Sequence, residues 1–301
     1  MTHWIAVDWG TTSLRVWQIG EDGQIIDHRT SDDGMSGLDP AQFEASLLSL
    51  IDDWLEQGTT TQAIACGMVG ARQGWIEAAY ATAPCTPSQA KPTNAPVTDP
   101  RLRVTILPGV SQTKPNADVM RGEETQISGY LTQHPHFDGV ICLPGTHTKW
   151  VHVSVGEIIS FQTTMTGELF ALLSGQSVLR HSLTGDGWDD AAFADGVETC
   201  LTRPANIASH LFSLRAEDLL SGQSANVARA RLSGMLIGTE LAATKPYWLG
   251  QHVVLIGAPK LSHLYATALS AQGIQHEMAN VTEMTLAGLA AAYLNLNGQP
   301  Q

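Results

Sequence analysis

The sequence predicts an α/β protein of two domains that share one topology. Near the N-terminus, strand-like segments are followed by a helical segment, a further strand and a second helix, and a similar order begins again near residue 139. In both copies an apolar strand ends in a turn of glycine and hydroxyl residues, and a second apolar strand follows. We therefore expect residues 1–133 to form one domain and residues 134–301 to form the other.

The spacing of apolar residues predicts the individual elements. Predicted strands cover residues 4–7, 14–19, 24–29, 63–66, 104–107, 139–143, 149–155, 157–161 and 253–256. Predicted helices cover residues 40–55, 123–132 and 283–294, and Asp39 is placed to cap the first of them. Residues 81–101 contain five prolines and are predicted to form a loop.

The composition limits the classes of function. Sixteen basic residues against twenty-nine acidic residues give a formal net charge of -13, which argues against a nucleic-acid or anionic-membrane partner. No apolar stretch approaches the roughly 20 residues of a membrane span. The four cysteines form no C-x-x-C pair, which predicts reduced thiols and a cytoplasmic protein.

The first turn begins after an apolar strand that ends in an aspartate, Asp8. Its small residues are Gly10, Thr11, Thr12 and Ser13. Backbone N–H and hydroxyl groups in such a turn converge on one point, which suits a phosphate chain. An acid at this place is unfavourable unless it holds a cation or turn amides. Arg15 on the next strand is interpreted as a solvated ion-pair partner, and the whole segment alone also fits an ordinary hairpin.

The second turn follows the strand predicted at residues 139–143. Its residues are Gly145, Thr146, His147, Thr148 and Lys149. Hydroxyl groups and a cation suit a triphosphate, although a lysine that opens a strand is often a solvated residue. The two turns together indicate two half-domains that hold one nucleotide.

These motifs resemble the sugar-kinase, acetate-kinase and actin superfamily of two-domain ATPases, whose signature is two phosphate hairpins and a late adenosine turn. The segment V-V-L-I-G-A-P-K-L at residues 253–261 resembles this adenosine turn, with Gly257 and Ala258 in the turn itself. The segments V-D-W-G-T-T-S-L-R-V-W, G-M-V-G-A-R-Q-G-W, D-V-M-R-G-E-E-T-Q and L-P-G-T-H-T-K-W, with residues 161–170, closely resemble the 2-dehydro-3-deoxygalactonokinase family.

The resemblance implies two ribonuclease-H-like, actin-like ATPase domains with an interdomain nucleotide cleft. It implies ATP and Mg²⁺ as cofactors and a small sugar acid as substrate. The expected reaction is phosphorylation of 2-dehydro-3-deoxy-D-galactonate at its terminal (6-) hydroxyl, in galactonate catabolism. Asp8 would hold Mg²⁺, usually through water, and the two turns would line the phosphates. His147 departs from the small residues of the second hairpin and receives no catalytic role.

Two residues are candidates for the general base. Asp118 lies in a region comparable to that of the base aspartate in hexokinase-type sugar kinases. Glu124 lies in a stretch that resembles the S-G-x-E-E segment of exopolyphosphatases. Asp118 is the first choice and Glu124 the second. The structural alternative is that Asp118 caps a helix and the glutamates stabilise its first turn.

The carboxylate of a keto acid requires a cluster of donors. Arg72 lies in a loop flanked by glycines and can offer a bidentate fork, although a surface arginine is the alternative. Arg121 is a second candidate. Trp75 is expected either to line the substrate pocket or to pack in the core, and Glu168 is a candidate acceptor for sugar hydroxyls. Residues 186–189 are interpreted as a structural turn.

The sequence leaves other functions open. A kinase of 2-keto-3-deoxygluconate differs in substrate by one hydroxyl epimer, which the sequence does not distinguish. A phosphohydrolase or nucleotide-dependent sensor of the same fold would act without a sugar acceptor. A non-catalytic sugar-binding protein would be expected to lack either Asp8 or the hydroxyl-rich second turn. The oligomeric state is open, with a homodimer as one candidate.

Overall fold

The computed structural model describes residues 3–87 and 89–298. The chain forms two compact units. The first contains the described residues of Met1–Asp138, Val153–Ser160 and Asn280–Gln301, and the second contains Gly139–His152 and Phe161–Ala279. The C-terminal segment thus belongs to the N-terminal unit, whereas the predicted domains are two consecutive halves. The domain boundary after residue 133 stays a prediction, as does the cleft between the domains.

The elements are numbered in chain order. The strands are β1 (His3–Trp9), β2 (Leu14–Gly20), β3 (Ile25–Ser31), β4 (Thr61–Gly67), β5 (Tyr80–Thr82), β6 (Thr93–Asn94), β7 (Leu102–Ile106), β8 (Gly109–Gln112), β9 (Asp118–Met120), β10 (Gly139–Leu143), β11 (Thr148–Ser154), β12 (Glu157–Thr164), β13 (Val253–Gly257) and β14 (His276–Asn280). The helices are α1 (Phe43–Ile51), α2 (Glu123–Gln133), α3 (Thr166–Gly175), α4 (Asp190–Thr202), α5 (Ile207–Ser221), α6 (Ala225–Ala243), α7 (Lys245–Trp248), α8 (Pro259–Ala271) and α9 (Val281–Leu296). In the described part of the chain, no helix is long and apolar enough to cross a membrane.

The first unit is built on a sheet with the strand order β3-β2-β1-β4-β7-β6. Strand β1 pairs antiparallel with β2 and parallel with β4. Successive side chains of a strand point to opposite faces, and β1 is buried on both faces. Ile5 and Val7 belong to the core that contains residues of α1, whereas Trp4 and Ala6 pack with Leu289 of α9.

A second sheet repeats this plan with the order β12-β11-β10-β13-β14. Its central strand β10 pairs parallel with β13, and Val140 lies opposite Val253. Both residues are buried in a core that also contains Trp150 of β11 and Phe193 of α4. The predicted α/β class and the repeated topology are therefore confirmed.

Several elements differ from the sequence prediction. The helix predicted over residues 40–55 is reduced to α1, which a 3₁₀ turn precedes at Pro40–Gln42 and another follows at Asp52–Trp54. Strands β5, β8 and β9 form a small three-stranded sheet that the apolar pattern does not predict, and β14 was also missed. These strands are short or lack a regular apolar alternation, so their partners rather than their own residues determine them.

Glycines allow close helix pairs in both units. A Cβ added to Gly129 of α2 would lie 1.9 Å from the carbonyl oxygen of Met284, and one added to Gly288 of α9 would lie 2.0 Å from that of Thr125. In the second unit, a Cβ on Gly234 of α6 would lie 2.1 Å from the Phe193 carbonyl oxygen. Larger residues would force these helices apart.

Candidate active site

The first turn is a braced hairpin whose polar residues are open to solvent. Gly10 N–H donates to the Ser13 carbonyl oxygen at 2.9 Å, and Thr11, Thr12 and Ser13 are exposed. Residues 34–36 support the turn from behind, since Ser36 N–H donates to the Thr11 carbonyl oxygen at 3.0 Å. A Cβ on Gly34 would lie 2.3 Å from that same oxygen. The sequence predicts the turn but gives no sign of this support.

Asp8 is ion-paired with Arg15, its direct cross-strand neighbour between β1 and β2. Arg15 Nε donates to Asp8 Oδ2 at 3.1 Å, and Nη2 donates to the same oxygen. The Asp8 side chain is 17% exposed. The predicted role of Arg15 as a pair partner is confirmed, and the pair fixes the orientation of the Asp8 carboxylate.

The surroundings of Asp8 fit a magnesium ion that is held indirectly. Magnesium in proteins keeps several waters and is bound by one or two carboxylates together with substrate phosphates. Asp8 Oδ2 is engaged by Arg15, whereas the contact of Oδ1 is the Cys66 thiol at 3.9 Å. A thiol is a weak donor, so Oδ1 retains capacity to accept a hydrogen bond from a metal-bound water. Three or more His, Cys, Asp or Glu side chains able to hold a metal do not gather anywhere in residues 3–87 or 89–298.

Glu124 is a buried carboxyl group at the start of α2. It is 2% exposed, and its two oxygens accept from Gly122 N–H at 2.9 and 2.7 Å. Burial and the nearby charge of Glu123 raise the pKa of Glu124 to about 8. Burial also raises the pKa of the Cys66 thiol, and the nearby charges of Asp8 and Glu124 raise it further. The charges of Asp8 on β1 and Glu124 on α2 therefore both reach the Cys66 thiol on β4.

Asp118 lies on β9 and pairs with Gln112 of β8. Its Oδ1 accepts from Val119 N–H at 2.8 Å. Because α2 begins only at Glu123 with Gly122 at its N-cap, Asp118 does not cap this helix, and that alternative is wrong. Both glutamates of the first turn do accept backbone N–H groups, as the structural alternative for them predicts. The assignment of the base to Asp118 stays a prediction.

Arg72 lies in the loop that follows β4 and is open to solvent. Its side chain is 81% exposed, and its Nε is 3.6 Å from Oε1 of Glu77. Trp75 in the same loop is 6% exposed and stacks on Phe43, with ring centroids 6.0 Å apart. The surroundings of Trp75 support the core-packing interpretation, and its contact with substrate stays a prediction.

Arg121 is buried and supports the segment that carries Arg72. It is 7% exposed, its Nη2 donates to the Ala78 carbonyl oxygen at 2.8 Å, and its guanidinium carbon lies 4.2 Å from the ring centroid of Tyr80. A Cβ on Gly70 would lie 2.9 Å from Nη1. Nε and Nη1 are buried without a hydrogen-bond partner in the described residues. These contacts make Arg121 a brace for residues 70–80.

The second turn divides its polar residues between solvent and interior. Thr146 and His147 are exposed, whereas Thr148 is fully buried and its Oγ1 lies 3.0 Å from Tyr265 Oη. Lys149 is 6% exposed, and its Nζ donates to the His147 carbonyl oxygen at 3.2 Å. The solvated-surface alternative for Lys149 is therefore wrong, and Thr148 and Lys149 support the turn from within. Phosphate contacts of the turn stay predictions.

The start of α3 packs on the second turn. Glu168 N–H donates to the Thr146 carbonyl oxygen at 3.0 Å, and Glu168 Oε2 lies 2.5 Å from His147 Nε2. A Cβ on Gly167 would lie 2.3 Å from the Gly145 carbonyl oxygen. The Glu168 carboxylate is thus hydrogen-bonded to the His147 ring. Its predicted contact with the sugar hydroxyls stays a prediction.

A cavity of about 890 Å³ opens beside the second turn. Its lining includes Gly145 and Thr146, the start of α3, part of α6, and residues 258–261 and 263–265. The turn at Gly257 packs closely on the second turn, since a Cβ there would lie 2.9 Å from the Pro144 carbonyl oxygen. The cavity lies in the size range of small-molecule sites and brings the predicted phosphate turn and adenosine turn together.

Sequence reasoning missed part of this lining. Trp188 lines the cavity, as do Phe170 and Arg229, whose guanidinium carbon lies 5.1 Å from the Phe170 ring centroid. Residues 186–189 were interpreted as structural, which holds for Asp189 because its side chain accepts from Ala192 N–H and caps α4. A tryptophan in a polar turn, with Gly187 before it and Asp189 after it, was the available signal for a ligand-facing position.

The two sheets share one strand order over five strands, and each has a glycine and hydroxyl turn between its first two strands, which defines an actin-like fold. The fold is similar to that of component A of the (R)-2-hydroxyglutaryl-CoA dehydratase from Acidaminococcus fermentans, with a TM-score of 0.50 at 13% identity over 99% of this chain and 100% of that chain.

The family follows from closer comparisons. A family model described as 2-keto-3-deoxy-galactonokinase matches residues 8–292, and the chain belongs to this family of kinases. It is 39% identical over 298 residues to the Rhizobium meliloti (strain 1021) protein named Probable 2-dehydro-3-deoxygalactonokinase DgoK1, with 96% of each chain covered. It is 36% identical to the 2-dehydro-3-deoxygalactonokinase of Escherichia coli (strain K12), with 90% of each covered. A crystal structure of a candidate 2-dehydro-3-deoxygalactonokinase from Sinorhizobium meliloti has a TM-score of 0.90 at 38% identity, over 97% of this chain and 99% of that chain.

Proposed function

We propose that this chain uses ATP to phosphorylate 2-dehydro-3-deoxy-D-galactonate at its terminal (6-) hydroxyl. The observation that carries the ATP-binding part is the cavity of the second unit, which joins the second phosphate turn to the late glycine turn. The sugar acid is taken from the family and from the names of its relatives. A role in galactonate catabolism follows from that substrate.

The nucleotide is proposed to bind in this cavity. The exposed Thr146 hydroxyl and the N–H groups of the second turn are the donors for phosphate. The flat surfaces of Trp188 and of the Arg229–Phe170 pair suit a purine ring. The buried Lys149 and Thr148 would keep the turn in shape while the phosphates bind.

Mg²⁺ is proposed to accompany ATP and to be held by Asp8 through water. When bound, it neutralises charge on the phosphates. Arg15 holds one oxygen of Asp8 and leaves the other to accept from water. The hydroxyl groups of the first turn, Thr11, Thr12 and Ser13, would add donors on the β and γ side.

Glu124 is proposed as the general base, because its carboxyl group lies close to the strand ends of the first unit and its raised pKa suits proton transfer. In the reaction the terminal hydroxyl oxygen bonds to the γ-phosphorus, the bond from that phosphorus to the bridging oxygen of ADP breaks, and the hydroxyl proton passes to the carboxylate. A pKa of about 8 lets Glu124 exchange a proton near neutral pH. Asp118 remains the alternative base.

Arg72 is proposed to bind the carboxylate of the sugar acid. Its side chain is exposed and makes one long contact with Glu77, so its fork is available for a bidentate pair. Arg121 is proposed to keep the Arg72 loop in place through Ala78. The four cysteines are buried free thiols, which fits a reducing compartment, and we place the enzyme in the cytoplasm.

An assay of ADP release with and without 2-dehydro-3-deoxy-D-galactonate tests the kinase function. A kinase releases ADP only when the acceptor is present and forms one phosphorylated sugar acid for each ADP. Release of ADP and inorganic phosphate at the same rate without acceptor would instead indicate a phosphohydrolase.

A further inference from the structure

A buried carboxylate on α6, Glu240, is bonded to the walls of the nucleotide cavity. It is 3% exposed and accepts from Trp150 Nε1 at 2.7 Å, from Tyr265 Oη at 2.9 Å and from Thr166 Oγ1. Tyr265 and Thr166 line the cavity. All three donors are neutral. Burial raises the pKa of Glu240, and hydrogen bonds from these donors and from Thr164 oppose that rise.

The three donors belong to three different elements of the second unit. Trp150 lies on β11 directly after the second turn, Thr166 begins α3, and Tyr265 lies on α8 after the adenosine turn. One carboxylate therefore fixes the distances between these elements. Helices α3 and α8 line the cavity, and β11 follows directly on the second turn, which also lines it.

A chain of hydrogen bonds connects Glu240 to the second turn. Gly145 N–H donates to Thr148 Oγ1 at 3.5 Å, and Thr148 Oγ1 lies 3.0 Å from Tyr265 Oη. Tyr265 Oη donates to Glu240 Oε2, so the Tyr265 hydroxyl hydrogen is directed to Glu240. Thr148 must then donate to Tyr265, which leaves its lone pairs free for Gly145 N–H. The carboxylate thus sets the donor-to-acceptor direction of all the hydrogen bonds in this series.

Stability does not explain why a carboxylate occupies this place. A buried charge is costly to desolvate, and apolar residues of similar volume often replace buried ionic groups at no loss of stability. We propose that Glu240 is a positioning residue of the nucleotide site, which holds the second turn, α3 and α8 in the arrangement that binds phosphate. This role rests on the proposed function, because it presupposes that the cavity binds a nucleotide.

Two conservative variants separate positioning from folding. Tyr265→Phe removes the hydroxyl that links Thr148 to Glu240 and leaves the Trp150 and Thr166 bonds in place. Glu240→Gln can keep its oxygen on Trp150 and direct its NH₂ group to the hydroxyls of Thr166 and Tyr265, which rotate to accept. Tyr265 would then donate to Thr148, so the series of hydrogen bonds is kept with its donors and acceptors reversed. Tyr293→Phe in the first unit, where Tyr293 stacks on Trp4, is the matched control.

The experiment is a calorimetric titration of each variant with ADP and with adenosine, well below its Tm. We expect Tyr265→Phe to weaken ADP binding at least fivefold and adenosine binding less, Glu240→Gln to weaken ADP binding clearly less than Tyr265→Phe does, and Tyr293→Phe to be unchanged. In steady-state kinetics, KM for ATP should rise in Tyr265→Phe while KM for the sugar acid stays constant.

Three results would overturn this role in distinguishable ways. If Tyr265→Phe has a lowered Tm but binds ADP as wild type does, the network is structural only. If Glu240→Gln loses ADP affinity as strongly as Tyr265→Phe, a reversible chain of hydrogen bonds is not what positions the turn. If the wild-type chain binds no ADP, the nucleotide site itself is refuted, and the role of Glu240 with it.

Discussion

Both carboxylate oxygens of Glu124 accept a hydrogen bond from the N–H of Gly122, two residues earlier in the chain. Gly122 has φ of +108°, a conformation that L side chains rarely adopt. A Cβ on it would also lie 3.2 Å from Cα of Gly67, at the end of β4. The tight loop thus holds a buried carboxyl group against the strand ends that carry Asp8 and Cys66.

Glu124→Gln should lower kcat by about 10²–10⁴-fold, the usual contribution of a general base, with KM values nearly unchanged. Asp118→Asn is the matched control and should retain turnover close to wild type. Initial-rate kinetics and circular dichroism of both variants provide the check. Loss of turnover in Asp118→Asn with normal turnover in Glu124→Gln would return the base to Asp118.

The pH dependence of kcat/KM should carry the pKa of Glu124. A base acts when deprotonated, so kcat/KM should rise with pH and reach half its plateau near pH 8, because the pKa of Glu124 is raised to about 8. The same limb should be absent from the residual activity of Glu124→Gln. A profile with its acid limb near pH 4 would mean that a carboxylate of ordinary pKa is the base.

Asp8→Asn should lower kcat by about 10–100-fold, as expected for a ligand that acts on a metal through its water. The variant keeps the side-chain volume but loses the charge that orients Arg15 and attracts Mg²⁺. Asp27→Asn, which breaks another aspartate–arginine pair of the same sheet, is the control and should leave kcat unchanged. Unaltered turnover of Asp8→Asn at saturating Mg²⁺ would reduce Asp8 to a structural residue.

Arg72→Ala should raise KM for the sugar acid about 30-fold or more, because removing one partner of a charge pair that the bound substrate covers costs about 2–5 kcal/mol. KM for ATP should change little, and the high exposure of Arg72 predicts an unchanged Tm. Glu77→Gln removes the neighbouring charge and should leave both KM values near wild type. An unchanged KM for the sugar acid in Arg72→Ala would place the carboxylate elsewhere, with Arg121 as the next candidate.

Gly167→Ala should raise KM for ATP by about 10- to 100-fold, because misplacement of a binding element by about 1 Å has effects of this order. The new Cβ would lie 2.3 Å from the Gly145 carbonyl oxygen, so the second turn must move. Gly175→Ala in the same helix has nothing within 4 Å of its Cβ and should bind ATP normally. Equal KM values in the two variants would show that α3 does not position the turn.

The sequence predicts the two turns and most long strands because these features are local. Asp8 ends an apolar run and Gly145 opens a polar one, so both are visible in a short window. The buried position of Thr148 is not, since it depends on Tyr265, which is 117 residues away. Glu240 is likewise an ordinary helical glutamate until the fold brings Thr166 and Trp150 to it.

The substrate residues show the same limit. Arg72 and Arg121 have equal standing in the sequence, because both are arginines close to glycines. The fold separates them, since Arg121 is enclosed by Tyr80 and Ala78 whereas Arg72 faces solvent. Trp75 was undecided between pocket and core, and its stacking on Phe43 supports the core. Burial is a property of the packed chain, which residue types alone do not determine.

The measurement that tests the central claim most directly is kcat/KM for ADP release with 2-dehydro-3-deoxy-D-galactonate and, in parallel, with its gluconate epimer. Phosphorus NMR of the product then locates the new phosphate. The account predicts acceptor-dependent ADP release that is faster with the galactonate compound, with phosphate on the terminal (6-) oxygen. Faster turnover of the gluconate epimer, or ADP release that ignores both acceptors, would contradict it.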